Sequence, residues 1–217
     1  MADEKHSENH APMTAAGWLQ RSRQPARWEG ASLAAVAEIN ELLLERMRAA
    51  ALATEERPRL VEGLREWWCR LDEGARERLA RCPYLLLDAE FDCPARWQAA
   101  GLASGVRDSA AARGYFHSAA GVAVVRRSLM LAWHLARSNR LTARVLLGMN
   151  PECADGIAGS ALKHLEGLAE LHPAWIVPRW EGQPLIWRQM IQAAIGGSDA
   201  ALRRVQLRGL QLMAAMW

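Results

Sequence analysis

Arg137, Arg140 and Arg144 follow one another at three- and four-residue steps, with Arg126 and Arg127 about three turns earlier. On one continuous helix that spacing would align the guanidinium groups as a stripe suited to phosphate contacts. On an ordinary surface helix it would be a solvated face. Arg203, Arg204 and Arg208 make a second basic group near the C-terminus, open to the same two readings. Between them lies a helical stretch with Lys163, His164, Glu166 and Glu170 directed outward. Two acids against one lysine is poor chemistry for a phosphate-lined groove. DNA binding by this helix alone is therefore not expected. A composite complex or a purely protein-binding role fits its charges better. The candidate DNA-contacting residues are thus Arg126, Arg127, Arg137, Arg140, Arg144, Lys163, Arg203 and Arg204.

Other reactive side chains are scattered. Cys69, Cys82, Cys93 and His117 are the only set with zinc-ligand chemistry, and no C-x-x-C pair is present. Buried thiols are the expected state, with no metal site. Cys153 stands at the start of a short helix, where a thiolate gains from the helix terminus. No His or acid is placed to make it a nucleophile, so it reads as structural. Asp88, Glu90 and Asp92 alternate in a loop; a Mg²⁺ site is one reading, and a solvated turn ending the apolar run before it is the expected one. G-x-x-x-x-G-K-[ST], G-x-G-x-x-G and G-x-S-x-G are all absent, so no catalytic residue, cofactor or enzyme activity is predicted.

Composition narrows the class further. Arginine supplies nearly all of the 27 cations, and ten Trp stand against two Phe and two Tyr. Indoles in that number are expected to pin helices together, since each buries roughly 150–250 Å². From Val122 to Trp217 eleven cations face six acids, whereas the remainder holds sixteen cations and eighteen acids. The second half is thus the better candidate for an anionic partner, though the bias is mild. The longest apolar runs, Tyr84–Leu87 and Gly121–Val125, fall far short of the ~20 residues of a membrane span. The first sixteen residues mix acids and histidines without an apolar core, so they read as a flexible tail rather than a signal peptide. A cytoplasmic chain with reduced thiols and no membrane contact is the expectation.

The elements that must carry these residues are helices; strand signals are nearly absent. Ser32 is a candidate cap for a helix with Leu33, Val36, Ile39, Leu43 and Met47 inward. Pro58 opens a second, carrying Leu60, Leu64, Trp67, Trp68 and Leu71. A short helix from Asp72 to Arg81 stops at Pro83, and Arg96–Ala100 suits one helical turn. Gly101–Gly114, rich in Gly, Ser and Ala, marks an internal boundary. The strongest helix then puts Val122, Val125, Leu129, Ala132, Trp133 and Ala136 on one face. Ser138-Asn139 suits a break and a new cap, Gly148 a left-handed C-terminal position, and Asn150-Pro151 the next helix start. Gly159-Ser160 ends that helix and opens another with Leu162, Leu165, Leu168 and Ala169 inward. Pro173 and Pro178 bracket an extended link before two final helices. The expected fold is an all-α multi-helix bundle with a helix-turn-helix-like corner in its C-terminal half. Its predicted parts are a tail (1–16), an N-terminal helical region (17–104) and a C-terminal helical domain (115–217).

An internal echo runs across these parts. Leu79-Ala80, Pro83, Phe91-Asp92 and Pro94-Ala-Arg-Trp97 match Leu168-Ala169, Pro173, Trp180-Glu181 and Pro184-Leu-Ile-Trp187. The first half lacks a counterpart of Leu147-Gly148-Met149-Asn150. The pattern reads either as a divergent duplication or as coincidence.

The C-terminal stretch carries a likeness of its own. Leu129-Met-Leu-Ala132, Leu135, Ala143, Leu147-Gly148-Met149-Asn150, Glu152, Ala154, Ile157-Ala158, Leu162, Leu168-Ala169-Glu170 and Arg179-Trp180 resemble the D subunit of the flagellar master transcriptional activator (the FlhD family). Leu202, Val205, Gly209 and Leu212 continue it weakly. The resemblance implies a small helical homodimer that joins a zinc-bearing C-type subunit and activates promoters on DNA. Where relatives carry an interchain cysteine this chain has Ile176, and its N-terminal half has no counterpart in that family. Two function classes follow. One is a transcription regulator of this kind, acting on DNA in a multi-subunit complex. The other is a helical adaptor that binds protein partners, in a regulatory or secretion system, without DNA contact.

Overall fold

The computed structural model describes residues 27–54, 57–98 and 115–215. The predicted tail and the Gly101–Gly114 boundary lie outside the described residues. Within them the chain is all-α. Helix α1 (Arg27–Leu52) buries Val36, Ile39, Leu43 and Met47 as their spacing requires, together with Leu44 and Ala51. Ser32 is not its cap. The helix already starts at Arg27, and only the first four N–H groups of a helix want an outside acceptor. Leu33, predicted inward, is 42% exposed.

The single helix expected after Pro58 is two, α2 (Arg59–Gly63) and α3 (Arg65–Arg70), broken where Leu64 takes φ −126°. Gly63 just before the break weakens helix propensity there. Helix α4 (Glu73–Ala80) is capped by Asp72, whose carboxylate accepts from the Ala75 N–H at 2.7 Å. The strand β1 (Leu87–Asp88) and the one-turn α5 (Pro94–Trp97) complete the first half.

Helix α6 (Ala119–Ser138) buries Val125, Leu129, Ala132 and Ala136 as predicted, while Val122 and Trp133 are only half-buried. Asn139 ends it and caps α7 (Arg140–Leu147), accepting from Thr142 N at 2.9 Å. Gly148 follows at φ +68°, a left-handed turn that glycine enters without strain. Asn150 then caps α8 (Pro151–Gly159), with Pro151 at the first helical position. Helix α9 (Leu162–Leu171) turns Leu165, Leu168 and Ala169 inward against α6. Leu162, predicted inward, is 42% exposed, because it stands a full turn ahead of the packed face. The link predicted as extended winds one 3₁₀ turn at Pro173–Trp175 before strand β2 (Val177–Pro178). Helices α10 (Pro184–Ile195) and α11 (Asp199–Ala214) close the fold. No helix among the described residues is long and apolar enough to cross a membrane.

From the strands to Trp97 and Trp187 the sequence echo is a repeat in three dimensions, in a register that sets Trp180 on Glu90 rather than on Phe91. β1 and β2 pair antiparallel, Leu87 opposite Pro178 and Asp88 opposite Val177. A shift of ninety residues carries Leu87 to Val177 and Asp88 to Pro178, so the pairing maps onto itself. That is a local two-fold axis. Glu90 and Trp180, ninety apart, are the non-glycine residues of positive φ among those described, at 54° and 56°. The Trp97 indole N–H donates to Ala89 O at 3.2 Å, and the Trp187 indole N–H to Arg179 O at 2.6 Å. Cys93 N donates to Glu90 O as Gln183 N does to Trp180 O, and α5 and α10 both open on proline. The packing is reciprocal too. α1 lies against α4 as α6 lies against α9, while α5 crosses onto α8 and α10 onto α3. Gly156 permits the first crossing, since a Cβ there would stand 2.6 Å from Trp97 O. Trp68 meets Trp187 at the second, with ring centroids 5.5 Å apart. The repeat fails where the echo failed: α1 runs on to Leu52, whereas α6 breaks at Asn139 and turns into α7.

Arg179, only 4% exposed, holds the middle of this arrangement by donating to Leu85 O, Leu87 O and Leu147 O. Arg179→Met keeps most of the volume and leaves three buried carbonyls without their donor. Its expected cost is about 3 kcal/mol or more, read as a lowered urea midpoint. Both repeats should unfold in one transition, because the clamp joins them.

Candidate interaction face at the helical corner

The corner from α7 to α9 is set by backbone contacts that the apolar pattern does not reveal. Leu85 N donates to Leu146 O at 2.8 Å, and Asn150 N donates to Phe91 O at 2.8 Å. Both ends of the Gly148-Met149 turn are therefore fastened to the segment that carries β1. Met149 and Cys153 are buried beneath it. The Trp133 indole donates to Ser160 O at 3.1 Å, which fixes the second connection, between α8 and α9. With the inner surface committed, the outer surface shows Leu141, Val145, Leu162 and Leu171. Leu141 and Leu171 are 71% and 77% exposed.

The predicted basic residues do not form one stripe. The helix breaks at Asn139, where φ is −158°, so Arg126, Arg127 and Arg137 belong to α6 and Arg140 and Arg144 to α7. Three of the five lie against carboxylates. Arg126 reaches Glu170 at 2.7 Å, Arg140 reaches Asp155 at 2.5 Å, and Arg127 pairs with Glu38 of α1. All three pairs are solvent-exposed, so they hold weakly, at roughly 0–1 kcal/mol each. Their effect is to make the surface a mosaic of both signs. The Arg137 guanidinium lies 4.7 Å above the Trp133 ring, and Arg144 is exposed on α7. Lys163 is exposed on α9 beside His164. On α11, Arg203 shares a crevice with Arg78, Arg81 and Asp199, Arg204 is exposed, and Arg208 donates to Gln189 at 3.3 Å.

Thiols and loop carboxylates depart from expectation in instructive ways. Cys82 and Cys153 are buried, Cys69 is half-buried and Cys93 is exposed. No group of three His, Cys, Asp or Glu side chains that could hold a metal ion occurs among the described residues. Burial pushes the Cys82 thiol up to about 12. The Cys153 thiol is also pushed up to about 12, by burial first and then by Cys93, Asp92, Glu152 and Asp88. Its place in the first turn of α8 therefore does not yield a stabilised thiolate. The Asp88–Asp92 stretch is not the solvated turn its composition suggests, because all three acids are half-buried. Glu90 pairs with Arg96, and Asp88 accepts from Phe91 N at 3.4 Å. Asp92 is held above the usual carboxylate range, chiefly by burial and next by Asp88.

Two buried polar residues that organise the site were given no structural role by the sequence, Arg179 entering only through the flagellar-activator likeness. Asn40 interrupts the apolar face of α1, which was a legible signal. Arg179 gave none, since nothing local distinguishes a buried arginine from a surface one. Comparison of the chain with protein-family models, with curated proteins and with solved structures gives no match in any of the three.

The raised value at Asp92 has a definite sign. A carboxyl whose folded value lies above its ordinary 3.8 keeps its proton better when folded. Its contribution is most favourable below 3.8 and is lost as pH rises through the folded value. Asp92→Asn should raise the melting temperature at pH 7, and the gain should shrink as pH falls toward 3.8. Thermal melts of both proteins across that range check it; a gain independent of pH would refute the cause.

Proposed function

We propose that the chain is a helical adaptor that works in the cytoplasm by binding protein partners through the outer face of the α7–α9 corner. The observation that carries this reading is the pair Leu141 and Leu171, 71% and 77% exposed on a backbone fixed by buried contacts. Exposed apolar side chains on a rigid frame suit protein docking. The candidate phosphate contacts suit DNA less well, because Arg126, Arg127 and Arg140 lie against carboxylates. The homodimer that the resemblance implies is replaced in this reading by the internal pair of repeats, so one chain stands for two.

The second reading is a transcription regulator similar to the flagellar activator D subunit, acting on DNA with a zinc-bearing C-type subunit. Arg137, Arg144 and Arg204, exposed on three different helices, favour it. A salt titration of duplex DNA binding separates the two. Under the adaptor reading, replacing Arg137, Arg140 and Arg144 by Ala leaves the dependence of log affinity on log salt unchanged. Under the DNA reading each lost phosphate contact shallows that slope by roughly 0.9. A triple variant that folds normally and loses about two or more units of slope would sink the adaptor reading.

A further inference from the structure

The crossing of α5 on α8 is fastened at both its ends. Just before α5, Phe91 O accepts from Asn150 N at 2.8 Å. At the last residue of α5, Trp97 O lies so near Gly156 that a Cβ there would stand 2.6 Å from it. Cys93 falls between Phe91 and Trp97, and Cys153 falls midway between Asn150 and Gly156. Positions 150, 153 and 156 follow at three-residue steps, so they share the face of α8 that receives the 91–97 segment. Two thiols from opposite halves of the chain, sixty residues apart in sequence, are thus set across one contact.

Both thiols are free, and they differ in access: Cys93 is exposed and Cys153 is fully buried. An oxidant in solution therefore meets Cys93, and Cys153 reacts only with what forms there. Electrostatics agree with the placement. After burial, Cys93 is the strongest influence pushing the Cys153 thiol up to about 12, ahead of Asp92, Glu152 and Asp88. The acids around the pair also choose the oxidant. They repel an anionic one such as glutathione disulfide and leave the way open to a neutral peroxide.

We propose that Cys93 is a site of oxidation by hydrogen peroxide and that Cys153 resolves it into an intrachain disulfide, locking α5 onto α8. In the first step the Cys93 sulfur takes one peroxide oxygen. The O–O bond breaks, the sulfur gives up two electrons to become a sulfenic acid, and one water leaves. In the second step the Cys153 sulfur attacks that sulfenic sulfur. The S–S bond forms, the S–O bond breaks, and the hydroxyl departs as a second water with the Cys153 proton. Cys153 is scarcely ionised at neutral pH, so this closure is the slow step. The link adds a second covalent tie between the two halves, on the helix that joins α7 to α9, so peroxide stiffens the corner. The inference goes beyond the adaptor reading and does not depend on it.

The test treats the full chain with hydrogen peroxide, blocks the remaining thiols after unfolding, and maps the digest by mass spectrometry without reduction. The expected product is a Cys93–Cys153 link within one chain, with Cys69 and Cys82 still open to alkylation. Its melting temperature should rise by roughly 5 °C or more and return to the starting value with dithiothreitol. Glutathione disulfide at equal concentration should give at least tenfold less of the link. Cys93→Ser should abolish both the link and the thermal shift. Cys93 is exposed, so that variant keeps its fold, as circular dichroism verifies. Cys93 ending only as sulfinic acid would overturn the proposal. So would a link to Cys69, to Cys82 or to a second chain, or equal linking by glutathione disulfide.

Discussion

A guanidinium buried at the centre of the chain ties its two halves together. Arg179 Nε donates to Leu85 O at 2.9 Å, and one terminal nitrogen donates to Leu87 O at 3.0 Å and Leu147 O at 2.8 Å. Its own N–H goes to Leu86 O, and its carbonyl accepts the Trp187 indole. A charge taken out of water is costly unless its donors are satisfied. Here carbonyls of the first repeat and of the α7–α8 corner satisfy them. Neither repeat alone could. The same requirement explains Gly148, where an added Cβ would stand 3.2 Å from the Arg179 guanidinium and 3.3 Å from Met213. The left-handed turn and the empty space beside it serve one clamp.

The 84–88 segment is held from its other side by Asn40. Its amide donates to Ala80 O and Tyr84 O, at 3.2 and 2.9 Å, and accepts from Leu86 N at 2.8 Å. A chain segment buried between helices, with only a two-residue strand partner, has few backbone acceptors of its own. Every orphaned group there would cost about 1–3 kcal/mol. Asn40 and Arg179 supply what a wider sheet would otherwise provide. Two short side-chain networks thus let an all-α protein keep an extended strand through its core.

Much of the helical frame was legible because local chemistry specifies it. Asn139, Gly148 and Asn150-Pro151 act through groups within three residues, and the structure places each at the helix end its type demands. Ser32 misled because a serine before an apolar face has the same sequence signature inside a helix as at its start. The break at Leu64 was invisible because 60, 64, 68 and 71 also suit one straight helix. The repeat was legible through its tryptophans, each bound to a carbonyl eight residues back, a constraint that preserves both residue type and spacing. The basic positions could be read off, but not their partners. Arg127 meets Glu38 and Arg126 meets Glu170 only after distant helices pack.

What separates the repeats bears most on function. In a true homodimer the two copies of each helix would present identical surfaces, and any change in one would alter both. Within a single chain each can change alone. The Arg78 guanidinium of α4 donates twice to Ala194 O at the end of α10, while Leu171 at the end of α9 stands 77% exposed. The break at Asn139 follows the same logic. It exists only in the second repeat, and it creates the short α7 that carries the exposed Leu141. The first repeat is thereby committed to holding the fold, through Asn40 and the contact of Arg78 with the end of α10. The second can present surface, because the clamp at Arg179 secures its backbone without drawing on its outer face.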